Sequence, residues 1–180
     1  KRNIERALRS TQDKLGGGKL MEVIYEGYGP SGVAVMVKVV TDNKNRTAAA
    51  IKNIFERGGG KLSQPGAVGF LFKPVGLITV AKKPPLDEQI LALIDLVVED
   101  VQETKEGLQV YTPPGQLDKI KRKIEKSGFK VLAASLVQQA VNLTKIQDKQ
   151  KTQRLIKFLE TLEQQDEVQK VYTNFDFGKN

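Results

Sequence analysis

The period of the apolar positions changes several times along the chain, and each change marks an element. From Met21 to Tyr28 and from Val33 to Val40 the residues are β-branched or aromatic, with Gly29, Pro30, Ser31 and Gly32 between the two runs. Two such runs around a turn cluster predict a hairpin. Upstream, Arg2 to Gln12 carries Ile4, Ala7 and Leu8 at helical spacing and then loses its period in Asp13 to Lys19, which predicts a helix end and a linker. Downstream, Asp42 or Asn43 is placed to cap a helix whose apolar face is Ala48, Ile51, Ile54 and Phe55 and which Gly58 to Gly60 stop. Leu62 and Ala67 to Phe72, on either side of Gln64-Pro65-Gly66, predict a second hairpin and complete a ββαββ unit.

From Gly76 to Gln138 the pattern is strand Leu77 to Ala81, helix Leu86 to Val98, strand Asp100 to Thr104, strand Leu108 to Thr112, helix Pro114 to Ser127 and strand Phe129 to Val137. This is the βαββαβ order of a ferredoxin-like unit. Its first helix is expected to bury Ile90, Leu91, Leu93, Ile94, Val97 and Val98; its second has Pro114 at the first turn and Gly128 past the end. A polar stretch, Ala140 to Lys149, leads to a helix of about Gln150 to Leu162 and a strand, Val168 to Thr173. Two elements cannot form a domain by themselves, so they are expected to return to the first unit and leave the middle segment as an insertion.

Composition narrows the chemistry. The 180 residues contain no cysteine and no histidine, which excludes disulfides, thiolate nucleophiles, Ser-His-Asp and Cys-His catalysis and the usual zinc sites. No apolar run reaches the roughly 18 residues a membrane span needs. No metal, cofactor or catalytic constellation is expected, and the acidic run Glu99, Asp100, Glu103 and Glu106 reads as a solvated edge. The chain opens on Lys1 with no methionine, so further residues are expected upstream.

Charge is unevenly spread. Through Lys83 there are 15 Lys and Arg against 6 Asp and Glu, a net of +9; from Pro84 onward there are 14 against 15, a net of −1. Such asymmetry points to a polyanionic partner, since cations set against phosphates release condensed counterions. Lys44, Arg46, Lys52, Arg57 and Lys61 flank the first internal helix, Asn45 adds a neutral donor, and Tyr25 and Tyr28 offer planar faces for stacking bases. These eight residues are the candidate nucleic-acid-binding edge. Lys119, Arg122, Lys123 and Lys126 form a second basic stripe, read as the solvent face of an amphipathic helix. Gly27 to Gly32 matches GxGxxG, but Val33 to Val40 continues as a strand where a dinucleotide fingerprint opens a helix, so the glycines are expected to serve a turn.

Three groups of residues carry a family resemblance: Asn3-Ile4-Glu5-Arg6-Ala7, Tyr25-Glu26-Gly27-Tyr28-Gly29-Pro30-Ser31-Gly32 and Asp42-Asn43-Lys44-Asn45-Arg46-Thr47. Further matches are Gly59 to Leu62, Gly69 to Phe72, Val110 to Thr112 and Val168 to Asn174. Together they resemble the YebC family, whose members include bacterial DNA-binding transcriptional regulators and the mitochondrial translational activator of cytochrome c oxidase subunit I. The resemblance implies a basic helical first domain, of which residues 1–19 hold the last helix and linker. It adds to an α+β reading with two ferredoxin-like α/β sandwich domains, the second (76–138) inserted into the first (20–75 plus 139–180). It also implies a non-enzymatic nucleic-acid-binding factor. The basic pI of about 9.6 favours a mitochondrial translation factor acting in the matrix on mRNA or ribosomal RNA and the mitochondrial ribosome. The alternative is a DNA-binding transcriptional regulator of the bacterial cytoplasm.

Overall fold

The computed structural model describes residues 19–178 apart from Val97; the helix expected over Arg2 to Gln12 and most of its linker lie outside these residues. The chain is α+β and divides into two compact units, one running to Phe72 and resuming at Ala140–Gly178, the other Lys73–Gln139. Each contains a four-stranded sheet.

In the first unit β1 (Met21–Tyr28) and β2 (Ala34–Thr41) form the expected hairpin, with Met21 opposite Thr41 and Tyr28 opposite Ala34. Asn43 caps helix α1 (Lys44–Arg57), its side chain accepting the Arg46 N–H. After β3 (Lys61–Ser63) the second expected hairpin does not form. The chain turns at Pro65 and Gly66 (φ 89°) and makes a single 3-10 turn over Gly69–Leu71. Glu26 accounts for the difference: its buried carboxylate accepts hydrogen bonds from the amides of Gly66 at 2.6 Å and Val68 at 3.2 Å, which a ladder would otherwise need. Both amides bond to one carboxylate, so Glu26→Gln would turn one acceptor oxygen into a donor against an N–H. An expected loss of about 1–3 kcal/mol follows, to be read as a lower urea midpoint.

Helix α4 (Lys149–Glu163) and strand β8 (Val168–Thr173) close this unit, β8 pairing antiparallel with β2 to give the order β3-β1-β2-β8. Because β1 and β2 are adjacent hairpin partners, the connection differs from a βαββαβ chain although the layering, two helices on one sheet face, is the same. The helix side of the core consists of Val35, Val37 and Val39 of β2, Ile51 and Phe55 of α1, and Leu155, Phe158, Leu159 and Leu162 of α4. On the other sheet face Ala34 and Met36 pack with Val68 and Phe72, so β2 is buried on both sides and is accordingly valine-rich.

The second unit has the ferredoxin-like order. Strand β4 (Phe72–Val80) leads to α2 (Leu86–Ile94), β5 (Asp100–Glu103), β6 (Leu108–Thr112), α3 (Leu117–Lys126) and β7 (Val131–Ala140), and the sheet runs β5-β6-β4-β7. Ile78, Val80, Leu108 and Val110 meet Leu93 of α2 and Ile120 and Ile124 of α3. Two expectations fail at α2. The helix ends at Ile94, and Leu91 and Ile94 are exposed instead of buried. The inward stripe is Leu86, Gln89, Ile90 and Leu93, because the buried Gln89 amide links two backbone groups, accepting from the Lys83 N–H and donating to the Ala81 carbonyl. Val97, expected in the same face, lies outside the described residues.

Candidate nucleic-acid interface

The eight residues expected to form one basic edge fall into three places. Lys44, Asn45 and Arg46 occupy the first turn of α1, whereas Arg57 ends it and Lys61 opens β3. Fourteen residues at about 1.5 Å each separate the two groups by roughly 20 Å. Lys52 stands between them, exposed and 3.9 Å from Glu56. The tyrosines point to opposite sides of the sheet, as residues an odd number of positions apart on a strand must. The Tyr25 ring packs against the helix-side core, and its hydroxyl donates to the Lys44 carbonyl at 3.1 Å. Burial, aided by the Glu167 carboxylate, pushes its phenol above the ordinary range. Tyr28 is on the face away from the helices, its hydroxyl 3.5 Å from the Ala67 carbonyl. The two rings form no shared platform with the lysines.

At the start of α1 the Arg46 charge is already met, whereas Lys44 beside it is exposed and makes no ion pair among the described residues. The Arg46 guanidinium donates to Asp42, at 2.6 Å, and to Glu167, while the Thr47 hydroxyl joins Thr41, the Asn43 carbonyl and Glu167. The hydrogen bonds to Glu167 and Asp42 hold the Arg46 pKa above its usual value. An arginine gripped by two carboxylates has little surplus potential for a phosphate.

The opposite end of the unit is different. Phe158 of α4 is seated edge-on against Phe55, with centroids 5.0 Å apart and planes at 83°, and a side chain at Gly29 or Gly58 would collide with its ring. That contact sets Phe158, just past the middle of α4, beside Gly29 and the C-terminal end of α1, while Glu167 beyond the end of α4 meets Arg46 and Thr47 in the first turn of α1, so the two helices run antiparallel. The GxGxxG glycines therefore serve packing. A Cβ at Gly27 would crowd the Lys61 carbonyl, one at Gly29 the Phe158 ring, and Gly32 takes a left-handed turn at φ 75°.

Arg57 and Lys61 flank the C-terminal end of α1 beside this apex, and Lys149, Lys151, Arg154 and Lys157 follow one another on α4 from its first turn to the residue before Phe158; all six are exposed. Among the described residues none of the six has an ion pair or a side-chain hydrogen bond. Four of them lie on α4 and were missed in the sequence, where that helix was read only for its apolar face. A signal was present: Lys149 and Lys151 sit in the first turn of a helix that has no acid there, at the positive end of its dipole. Cations there cost about 0.3–1 kcal/mol each. Asp148 offsets part of this by capping the amides of Gln150 and Lys151. At the other end of the unit Asp42 and Glu167 are committed to Arg46. The surface suits the oxygens of a phosphodiester backbone.

The family model described as the TACO1/YebC second and third domain matches residues 20–175. A probable transcriptional regulatory protein of Thermoanaerobacter pseudethanolicus is 42% identical over 178 residues, covering 97% of this chain and 71% of the relative. One of Aquifex aeolicus is 40% identical over 175 residues, covering 97% and 70%. The crystal structure of a conserved hypothetical protein, Aq1575, from Aquifex aeolicus superposes with a TM-score of 0.85 at 39% identity, covering 99% of this chain and 74% of that one. These organisms are bacteria, and the mitochondrial setting expected from the basic pI finds no support among them.

Proposed function

Because this chain belongs to the TACO1/YebC family, we propose that it is a non-enzymatic, nucleic-acid-binding regulator of gene expression that grips phosphates with the apex end of its first unit. The observation that carries this reading is the set of six exposed cations of α1, β3 and α4 that make no ion pair among the described residues. Transcriptional regulation through DNA is supported by the names of the bacterial relatives. In the first unit α1 and α4, the helices among the described residues, both lie flat on the sheet with one face buried, so neither stands clear of the fold as a reading element for a major groove. Contacts to the backbone then dominate over contacts to base edges, and affinity exceeds sequence selectivity. The same surface would accept an RNA backbone, which is the form a translational role would take.

Fluorescence anisotropy with a 20-base-pair DNA duplex and an RNA hairpin of equal charge separates these cases. Tighter binding to duplex DNA, with affinity falling as salt rises at a log–log slope of about −0.9 per phosphate contacted, is expected for the transcriptional reading. Preference for the RNA supports the translational one. Absence of binding to either at low salt overturns nucleic-acid recognition by this chain.

A further inference from the structure

A sheet edge exposes unpaired N–H and C=O groups and is normally blunted by shortness or charge. Among the described residues three of the four sheet edges follow that rule: β3 has three residues and opens with Lys61, β5 has four including Asp100 and Glu103, and β8 carries Lys170 among six. The fourth, β7, does not. It is ten residues long, borders only β4 among the described residues, and the sequence is uncharged from Val131 through Thr144. Leu132 and Leu136 on this edge are 40% and 57% exposed, against the expectation for aliphatic side chains in a strand.

We propose that β7 is a docking edge for a second copy of this chain, the two strands pairing antiparallel across a two-fold axis at Ala134. The residues themselves favour this occupant. Pairing centred on Ala134 sets Leu132 opposite the second copy's Leu136, Val131 opposite its Val137 and Ala133 opposite its Ser135, so each exposed leucine is met by another. An isologous pair of charged edges would place like charges face to face, which destabilises a ladder; β7 has none to repel. Backbone hydrogen bonds would supply affinity and the leucines register. A single strand pair is small beside a standard interface of roughly 1,200–2,000 Å², so the dimer is weak and depends on concentration. The proposal does not rely on nucleic-acid binding.

The chain lacks cysteine, so a single introduced thiol reports geometry directly. Ala134→Cys, oxidised with copper phenanthroline, is expected to give a disulfide dimer at least about tenfold faster than the exposed control Ser127→Cys. Sedimentation equilibrium of the unmodified chain should show a dimer fraction rising with concentration. The pair Leu132→Lys and Leu136→Lys, which puts lysine opposite lysine twice, should raise the dissociation constant about tenfold or more, about 1.4 kcal/mol. A chain that stays monomeric up to its solubility limit, equal crosslinking at both positions, or unchanged dimerisation of the lysine variant would each overturn the proposal.

Discussion

Truncating Phe158 to alanine is expected to lower the stability of the first unit by roughly 3–5 kcal/mol, the range for a buried aromatic whose neighbours cannot close the gap. The ring is 3% exposed, leans edge-on against Phe55, and lies over Gly29 and Gly58. Glycines have no side chain to move into the void, and the Gly29 and Gly58 backbones are held by hydrogen bonds to the Val33 and Ile54 carbonyls. The loss therefore keeps both its transfer and its cavity components. Two compact units make a single unfolding free energy ill-defined, so the check is hydrogen exchange of slow amides. Protection in β2 and α1 should fall by about 10²- to 10⁴-fold, at about 1.4 kcal/mol per factor of ten, while protection in β6 and α3 is unchanged. A fall below about fivefold in β2 would show that the neighbours collapse into the gap. Gly58→Ala attacks the same contact from the other side, since its methyl would overlap the Phe158 ring.

Much of the fold follows from local pattern. The β1–β2 hairpin, α1 with its Asn43 cap, and α4 followed by β8 were legible because each has one apolar face of the right period with a turn or cap residue at its boundary. The readings that failed depended on partners distant in sequence. Ala67 to Phe72 has strand composition, but Glu26, forty residues away, takes its amides. Leu91 and Ile94 fit a helical face, yet the buried Gln89 sets the rotation of α2. At the site, Asp42 stands four residues before Arg46 and could be seen beforehand, whereas Glu167 arrives from 121 residues away and completes the neutralisation. The residues of the YebC-like signature turn out to have separate structural duties. Tyr25 ties β1 to α1, Glu26 holds the 66–68 loop, Gly27 admits β3, and Gly29 admits Phe158. A signature can identify a family without marking its ligand contacts, and here the unpaired charge is mostly outside it.

That separation makes charge reversal at two places decisive. Changing Arg57, Arg154 and Lys157 to glutamate together is expected to weaken binding of a nucleic-acid duplex by roughly 10²- to 10³-fold at moderate salt and to reduce the salt slope by about one per lost phosphate contact, near three in all. The three side chains are exposed and make no ion pair among the described residues, so the fold should remain, and an unchanged circular dichroism spectrum verifies it. Arg46→Gln is the counterpart. Its guanidinium is committed to Asp42 and Glu167, so affinity and salt slope should stay within about twofold of the parent, while removal of the clamp lowers thermal stability. If instead the Arg46 variant lost the binding and the triple variant kept it, the phosphate surface would lie at the first turn of α1 and the apex cluster would be only a solvated face. Anisotropy titrations of both variants at four salt concentrations distinguish the two arrangements. The reason is electrostatic: an approaching phosphate gains from a cation only what neighbouring carboxylates have not already taken, and Arg46 differs from Arg57, Arg154 and Lys157 in that respect.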